Sequence, residues 1–305
     1  MMTPWPGTSV QVDSPTELRN PRTTDIDLVS TVEVLRMINA EDRTVPDAVA
    51  VALPRLAVAV DQAVGALRRG GRVHYVGAGT SGRLAVLDAA ELVPTFNAPA
   101  DWFVAHNAGG ADALATAVEG AEDDAESGAE AIRGQVAAGD FVLGLTASGR
   151  TPFVLGALAA ARDLGASTAL VSNNPATSVD VDVLVAVDTG AEAIAGSTRM
   201  KAGTAQKLVL TAFSTAVMVR LGRTYSNLMV SVRATNAKLR GRTLRILQEA
   251  TGLTEPECSA ALVDAGGDVK VALVHLLSGA DTQRCTDALA ETGGQVRLAL
   301  QALAR

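Results

Sequence analysis

Two short segments of this sequence share a Ser-Gly-Arg core: Thr80-Ser81-Gly82-Arg83 and Ala147-Ser148-Gly149-Arg150. Each follows a run of strand-forming residues and opens a helical one. The hydroxyls of Thr80, Ser81, Thr146, Ser148 and Thr151, with the backbone amides around Gly82 and Gly149, can cradle an anion at a helix N-terminus. Two such loops at the carboxyl ends of strands in one sheet suit a phosphate-bearing sugar. Helix capping by the same serines and threonines is the plainer alternative. Gly77, Gly79 and Gly82 also spell the GxGxxG dinucleotide fingerprint, which expects an acid at the end of the next strand. That strand ends Ala105-His106-Asn107, without one, so no nucleotide cofactor is expected.

Two glutamates stand out, Glu91 at the end of the helix after the first loop and Glu122 in an acidic run. On composition alone each reads as a solvated surface carboxylate, and the run around Glu122 as an ordinary acidic turn. Ser197-Thr198-Arg199-Met200-Lys201 opens a long helix. Cations at a helix start oppose its dipole, so Arg199 or Lys201, with Ser197 beside them, can face an anionic ligand; a solvated helix entry is the alternative. His74 lies within a strand and is expected to be packed, His275 sits in a helical tail, and His106 follows a strand end within reach of a ligand. Cys258 and Cys285 stand outside any CxxC pair, so free thiols are expected and a metal site is not.

The elements that must position these residues follow from periodicity. Helices are expected over 27–40 and 45–69, then a strand at 72–76 leading into the first loop. A strand at 101–105, helices at 111–119 and 125–138, and a strand at 141–145 lead into the second loop. A helix to residue 164, strands at 167–172 and 181–187, and a helix over 201–221 complete the pattern. Strands alternating with helices imply an α/β fold with a parallel sheet covered on both faces. From residue 242 short helices are punctuated by glycines, and the 256–278 portion resembles the three-helix ubiquitin-associated type. The expected division is an arm at 1–25, an α/β domain at 26–241 and a small helical domain at 242–305.

With aromatics at 3% against 48% hydrophobic residues, the core must be built from Ala, Val and Leu. A formal charge of −7 argues against a nucleic-acid partner. No apolar run reaches the ~18 residues of a membrane span. The opening MMTPWPGTSV lacks a basic start followed by an apolar run, so no secretory leader is expected and a cytoplasmic location is.

Four segments together resemble the N-acetylmuramic acid 6-phosphate etherase family of the sugar isomerase (SIS) fold. They are GAGTSGRLAVLDAAE (77–91), the stretch from AGG to VEGAEDD (108–124), LTASGRTPFV (145–154) and GSTRMKAGTAQKLVL (196–210). The likeness runs over nearly the whole chain. It departs at Leu92-Val93-Pro94, where the family usually reads Cys-Pro-Pro, which alters packing beside Glu91. The resemblance implies an SIS-type three-layer sandwich and a homodimer. It implies cleavage of the lactyl ether of N-acetylmuramic acid 6-phosphate to N-acetylglucosamine 6-phosphate and D-lactate, with no cofactor. It assigns the proton donor to Glu91 and the second catalytic glutamate, read as the carbon-2 base, to Glu122. The glucokinase regulator shares these loops and binds fructose phosphates without catalysis; aldose–ketose isomerases share the fold and the carbon-2 base. Those two are the competing readings.

Overall fold

The computed structural model describes residues 14–232 and 237–305. Two helices come first, α1 (Thr31–Asp42) and α2 (Val45–Arg68). The α/β part then runs β1 (Val73–Gly77), α3 (Gly79–Phe96), β2 (Phe103–Asn107), α4 (Asp112–Ala115), α5 (Ala125–Arg133), β3 (Phe141–Thr146), α6 (Pro152–Asp163), β4 (Ser167–Ser172), β5 (Val183–Ala186) and α7 (Lys201–Arg220). A hairpin of β6 (Thr224–Tyr225) and β7 (Leu228–Met229) precedes α8 (Ala237–Thr251), α9 (Glu255–Asp264), α10 (Val269–Ser278), α11 (Thr282–Glu291) and α12 (Val296–Leu303).

The sheet order is β2-β1-β3-β4-β5. β3 pairs with β4, and β4 with β5, in parallel register. At the other edge the amide of Val73 bonds the carbonyl of Trp102, and that of Ala108 bonds that of Gly77. Start meets start and end meets end, which is parallel pairing. β1 and β3 read as continuous buried runs because both faces of a parallel sheet are covered. The α/β fold with its parallel sheet and helical C-terminal part is as expected. Between β1 and β3 the strand order reverses direction, and both Ser-Gly-Arg loops leave from the carboxyl ends of those two strands.

Residue contacts gather in two units. Unit 1 takes the chain up to Ala59, with His74–Ala85 and Ala105–Leu210; unit 2 takes Val60–Val73, Val86–Val104 and Thr211–Arg305. In unit 1, α5 and α6 close over the sheet on Ile132, Val142, Phe153, Val154, Leu158 and Leu170. In unit 2, the C-terminal helices share a core of Leu247, Cys258, Ala272, Leu273, Val274 and Cys285. This cluster reaches back to Tyr225, Leu228 and Val230, and α8 runs through residue 242. A boundary at 242 would therefore cut a helix and split one apolar core. The thiols of Cys258 and Cys285 are free and buried.

One expectation is corrected. The helical stretch Thr31–Arg68 is long and apolar enough, by length and composition, to cross a membrane. Its α2 part carries Asp47, Pro54, Arg55 and Asp61 and buries Val49, Ala52, Leu56, Ala59 and Ala63, a stripe at helical spacing. The segment expected to be an extended arm is packed where it is described: Ser14, Thr16, Asn20 and Thr23 are all buried. Asn20 donates to the carbonyl of Ala191 at 3.2 Å and Thr23 to that of Ala193 at 2.8 Å, while the amide of Gly196 bonds the carbonyl of Thr16. The arm's residues 1–13 lie outside the described residues.

Candidate active site

Unit 1 carries a cleft of about 530 Å³ at the ends of β1 and β3. Both loops line it, through Ala78, Gly79, Thr80 and Ser81 on one side and Ala147, Ser148, Arg150, Thr151 and Pro152 on the other. Thr16, Glu17, Glu122, Asp123 and Thr198 close the ring.

The first loop is held by close backbone packing. A Cβ on Gly82 would lie 1.8 Å from Oδ1 of Asn107 and 2.8 Å from the carbonyl oxygen of Gly77, so the start of α3 rests directly on the end of β1. Gly79, Thr80 and Ser81 fill the first turn of α3, where amides have no intrahelical acceptor. Those amides belong to residues lining the cleft, the arrangement that holds an anion at a helix start.

The second loop is built by its own hydroxyls. Oγ1 of Thr146 accepts from the amide of Gly149 at 3.2 Å and lies 2.7 Å from Oγ1 of Thr151. Oγ of Ser148 accepts from the amide of Arg150 at 3.2 Å. Gly149 has φ +74°, a left-handed conformation that glycine adopts without strain, and a Cβ there would meet Thr177 at 1.9 Å. Thr151 stands at the N-cap of α6 but makes no capping bond. Plain helix capping does not describe it.

The sequence echo does not extend to the arginines. Arg83 donates to the carbonyls of Leu114 and Thr116, whereas Arg150 lines the cleft. Of the acidic run before α5, Asp124 caps that helix by accepting from the amide of Ser127 at 2.9 Å. Glu122 and Asp123 lie on a 3-10 turn (Ala121–Asp123), line the cleft and are exposed.

The structure thus brings Thr80, Ser81, Ser148, Thr151 and Glu122 to one cleft. Gly82, Thr146 and Gly149 sit behind it as the packing that shapes the loops, and Ser197 stands one residue before the lining Thr198. Glu91 is exposed on α3, in the part of that helix belonging to unit 2.

Lys201 requires a correction. Its side chain is 1% exposed, and Nζ bonds Oε2 of Glu41 at 2.8 Å. Arg22 reaches the same carboxylate through Nε at 2.5 Å and Nη2 at 2.7 Å. Glu192, wholly buried, accepts from the amides of Lys201 and Ala202 at 2.8 and 2.9 Å. The anions that offset a cation at the start of α7 are the chain's own. Burial raises the carboxyl of Glu192, against the pull of those two amides. Glu41 is held down to about 2, first by the bond from Arg22 and also by Lys201. Arg199 is exposed and outside the lining. His106, where ligand contact is the lesser reading, is 7% exposed, with Nε2 2.9 Å from Nδ1 of His74.

Sequence reasoning missed Thr16, Glu17 and Thr198. Thr198 was visible as a hydroxyl beside Ser197. Thr16 and Glu17 sit in a stretch without periodicity, held by the Gly196 amide on the Thr16 carbonyl and by bonds from Asn20 and Thr23 to Ala191 and Ala193, some 170 positions away.

The family model for the "Glucokinase regulatory protein N-terminal SIS domain" matches residues 55–162. Among solved structures, a phosphoheptose isomerase from Francisella tularensis is 19% identical, with a TM-score of 0.49, covering 63% of this chain and 100% of that one. Among curated proteins, N-acetylmuramic acid 6-phosphate etherase of Thermobifida fusca (strain YX) is 64% identical over 88% of each chain. The protein of that name from Serratia proteamaculans (strain 568) is 52% identical over 88% of this chain and 91% of its own. Identity at this level along nearly the full length of both relatives means that the chain belongs to the N-acetylmuramic acid 6-phosphate etherase family.

Proposed function

We propose that the chain is a carbon–oxygen lyase that cleaves the D-lactyl ether of N-acetylmuramic acid 6-phosphate, and that the cleft of unit 1 holds the substrate's phosphate. The observation that carries this reading is the convergence of two hydroxyl-rich loops and Glu122 on one cleft, in a chain of this family.

The reaction starts from the open-chain sugar. Glu122, as base, removes the proton at carbon 2, which the neighbouring aldehyde acidifies. The electron pair forms a double bond to carbon 3 as the carbon 3–oxygen bond breaks, and Glu91 protonates the departing lactyl oxygen. Water then adds to carbon 3 and a proton returns to carbon 2. The sum is N-acetylglucosamine 6-phosphate plus D-lactate, with no change in oxidation state. The buried free thiols Cys258 and Cys285 suit a reducing, cytoplasmic setting.

Glu91 works from the far end of its helix. α3 is unbroken from Gly79 to Phe96, so at 1.5 Å rise per residue Glu91 lies ~15 Å along the axis from Ser81. That is longer than a hexose phosphate. A symmetric homodimer in which Glu91 of one subunit serves the cleft of its partner resolves this. Unit 1 supplies an apolar surface for such a dimer: Leu28 is 79% exposed, Leu35 61% and Val51 82%.

The test is subunit exchange between two inactive proteins, Glu91→Gln and Ser148→Ala/Glu122→Gln. Mixed dimers with a shared site contain one intact site and regain up to about half of a wild-type dimer's turnover. No recovery, with exchange demonstrated by mass, places Glu91 and the cleft in one subunit.

A further inference from the structure

Unit 2 holds a second concave site, of about 470 Å³, whose lining includes Asn97, Arg223, Ser231, Asp268 and Lys270. Two cations face it, each held by neutral groups. The guanidinium of Arg223 lies 4.8 Å over the Trp102 ring and donates Nη1 to the carbonyl of Asn97 at 3.0 Å. Nζ of Lys270 donates to the carbonyl of Gly294 at 2.9 Å. Neither forms an ion pair among the described residues. The one carboxylate in the lining, Asp268, is committed through Oδ1 to the amides of Lys270 and Val271, at 2.8 and 3.1 Å. Oγ of Ser231 is buried and has no hydrogen-bond partner among the described residues.

The electrostatics agree with that geometry. Burial pushes the Lys270 ammonium down to about 8, the charge of Arg223 adds to the push, and Asp268 opposes it. Burial lowers Arg223 as well. Two partly desolvated cations sharing one committed acid are stabilised by an incoming anion. A guanidinium fork, an ammonium and a hydroxyl suit a tetrahedral oxyanion with two charges better than a single carboxylate. The volume falls in the range of small-molecule sites.

We propose that this cleft is a binding site for a small phosphate-bearing molecule, with the phosphate seated between Arg223 and Lys270 and Ser231 as a third donor. Its lining shares no residue with the cleft of unit 1.

Inorganic phosphate is the probe, and acetylation of Lys270, read by peptide mass spectrometry, is the signal. The full-length chain carries Ser148→Ala/Thr151→Ala to weaken phosphate binding at the other cleft. Phosphate is raised to about 20 mM at constant ionic strength with chloride. The expected result is saturable protection of Lys270, none at the exposed Lys207, and a midpoint at least about tenfold higher in Arg223→Gln. Because Arg223 also stacks on Trp102, Ser231→Ala gives a second arm, with a midpoint several-fold higher. Acetylation of Lys270 equal to the chloride control overturns the proposal. So does protection that survives both substitutions unchanged, and so does equal protection by D-lactate, which would make the site one for carboxylates.

Discussion

Replacing Glu41 by Gln removes the carboxylate that joins Arg22 to Lys201. The side chains of Glu41 and Lys201 are 3% and 1% exposed, and they meet at 2.8 Å. Arg22 is 62% exposed, so solvent screens its share. Lys201 is the costly partner, because removing one member of a buried pair leaves a charge uncompensated, at about 3–5 kcal/mol. The depressed carboxyl of Glu41 gives a second figure from the same contacts. It stands at about 2 against an ordinary 4.5, which corresponds to at most ~3 kcal/mol of folding free energy, since the bond from the exposed Arg22 is its first cause. The folded value is the depressed one, so this stabilisation is complete above the unfolded value and fades as pH falls toward 2. We expect Glu41→Gln to lose ~3 kcal/mol at pH 7 and only ~2 kcal/mol at pH 3.5, measured by urea unfolding followed by circular dichroism. A loss under about 0.5 kcal/mol at pH 7 would refute the reasoning, and so would a gap that widens with acid. Catalytic efficiency should fall too, because Arg22 and Lys201 lie a few residues along the chain from the cleft-lining Thr16, Glu17 and Thr198.

Three further outcomes follow from local geometry. Ser148→Ala/Thr151→Ala should raise the Michaelis constant at least about tenfold, since charge-assisted bonds to a phosphate are worth roughly 1.5–3 kcal/mol each; steady-state kinetics reads this. Gly82→Ala forces a Cβ to within 1.8 Å of Asn107 and should cost about 1–3 kcal/mol, lowering Tm in calorimetry. Thr254→Ala breaks the reciprocal capping box with Glu257 at the start of α9 and should cost about 1 kcal/mol, with turnover unchanged.

The parts legible in the sequence were those with local causes. The strand expected at 167–172 is β4, bounded before it by Gly165, and the helix expected at 201–221 is α7 to within a residue. Both Ser-Gly-Arg loops were visible because a strand, a glycine turn and a helix start are consecutive in the chain. Long-range electrostatics was not. Nothing near Lys201 names Glu41, 160 residues earlier, as its partner, so a lone cation at a helix start read as a ligand group. The hairpin of β6 and β7 was missed because two-residue strands show no periodicity. Its signal was Ser226-Asn227, a two-residue loop with Ser226 at φ +51°. Residues 111–119 shrank to the four-residue α4, with Thr116 extended and Gly120 left-handed just after it.

The reaction itself is tested most directly by incubating the purified chain with N-acetylmuramic acid 6-phosphate in ¹⁸O-labelled heavy water. Elimination followed by hydration breaks the bond from carbon 3 to the ether oxygen. D-lactate is therefore expected free of ¹⁸O, and N-acetylglucosamine 6-phosphate carrying ¹⁸O at carbon 3 and deuterium at carbon 2, with Glu91→Gln releasing neither product. Absence of D-lactate would rule this reaction out, and so would ¹⁸O appearing in the lactate.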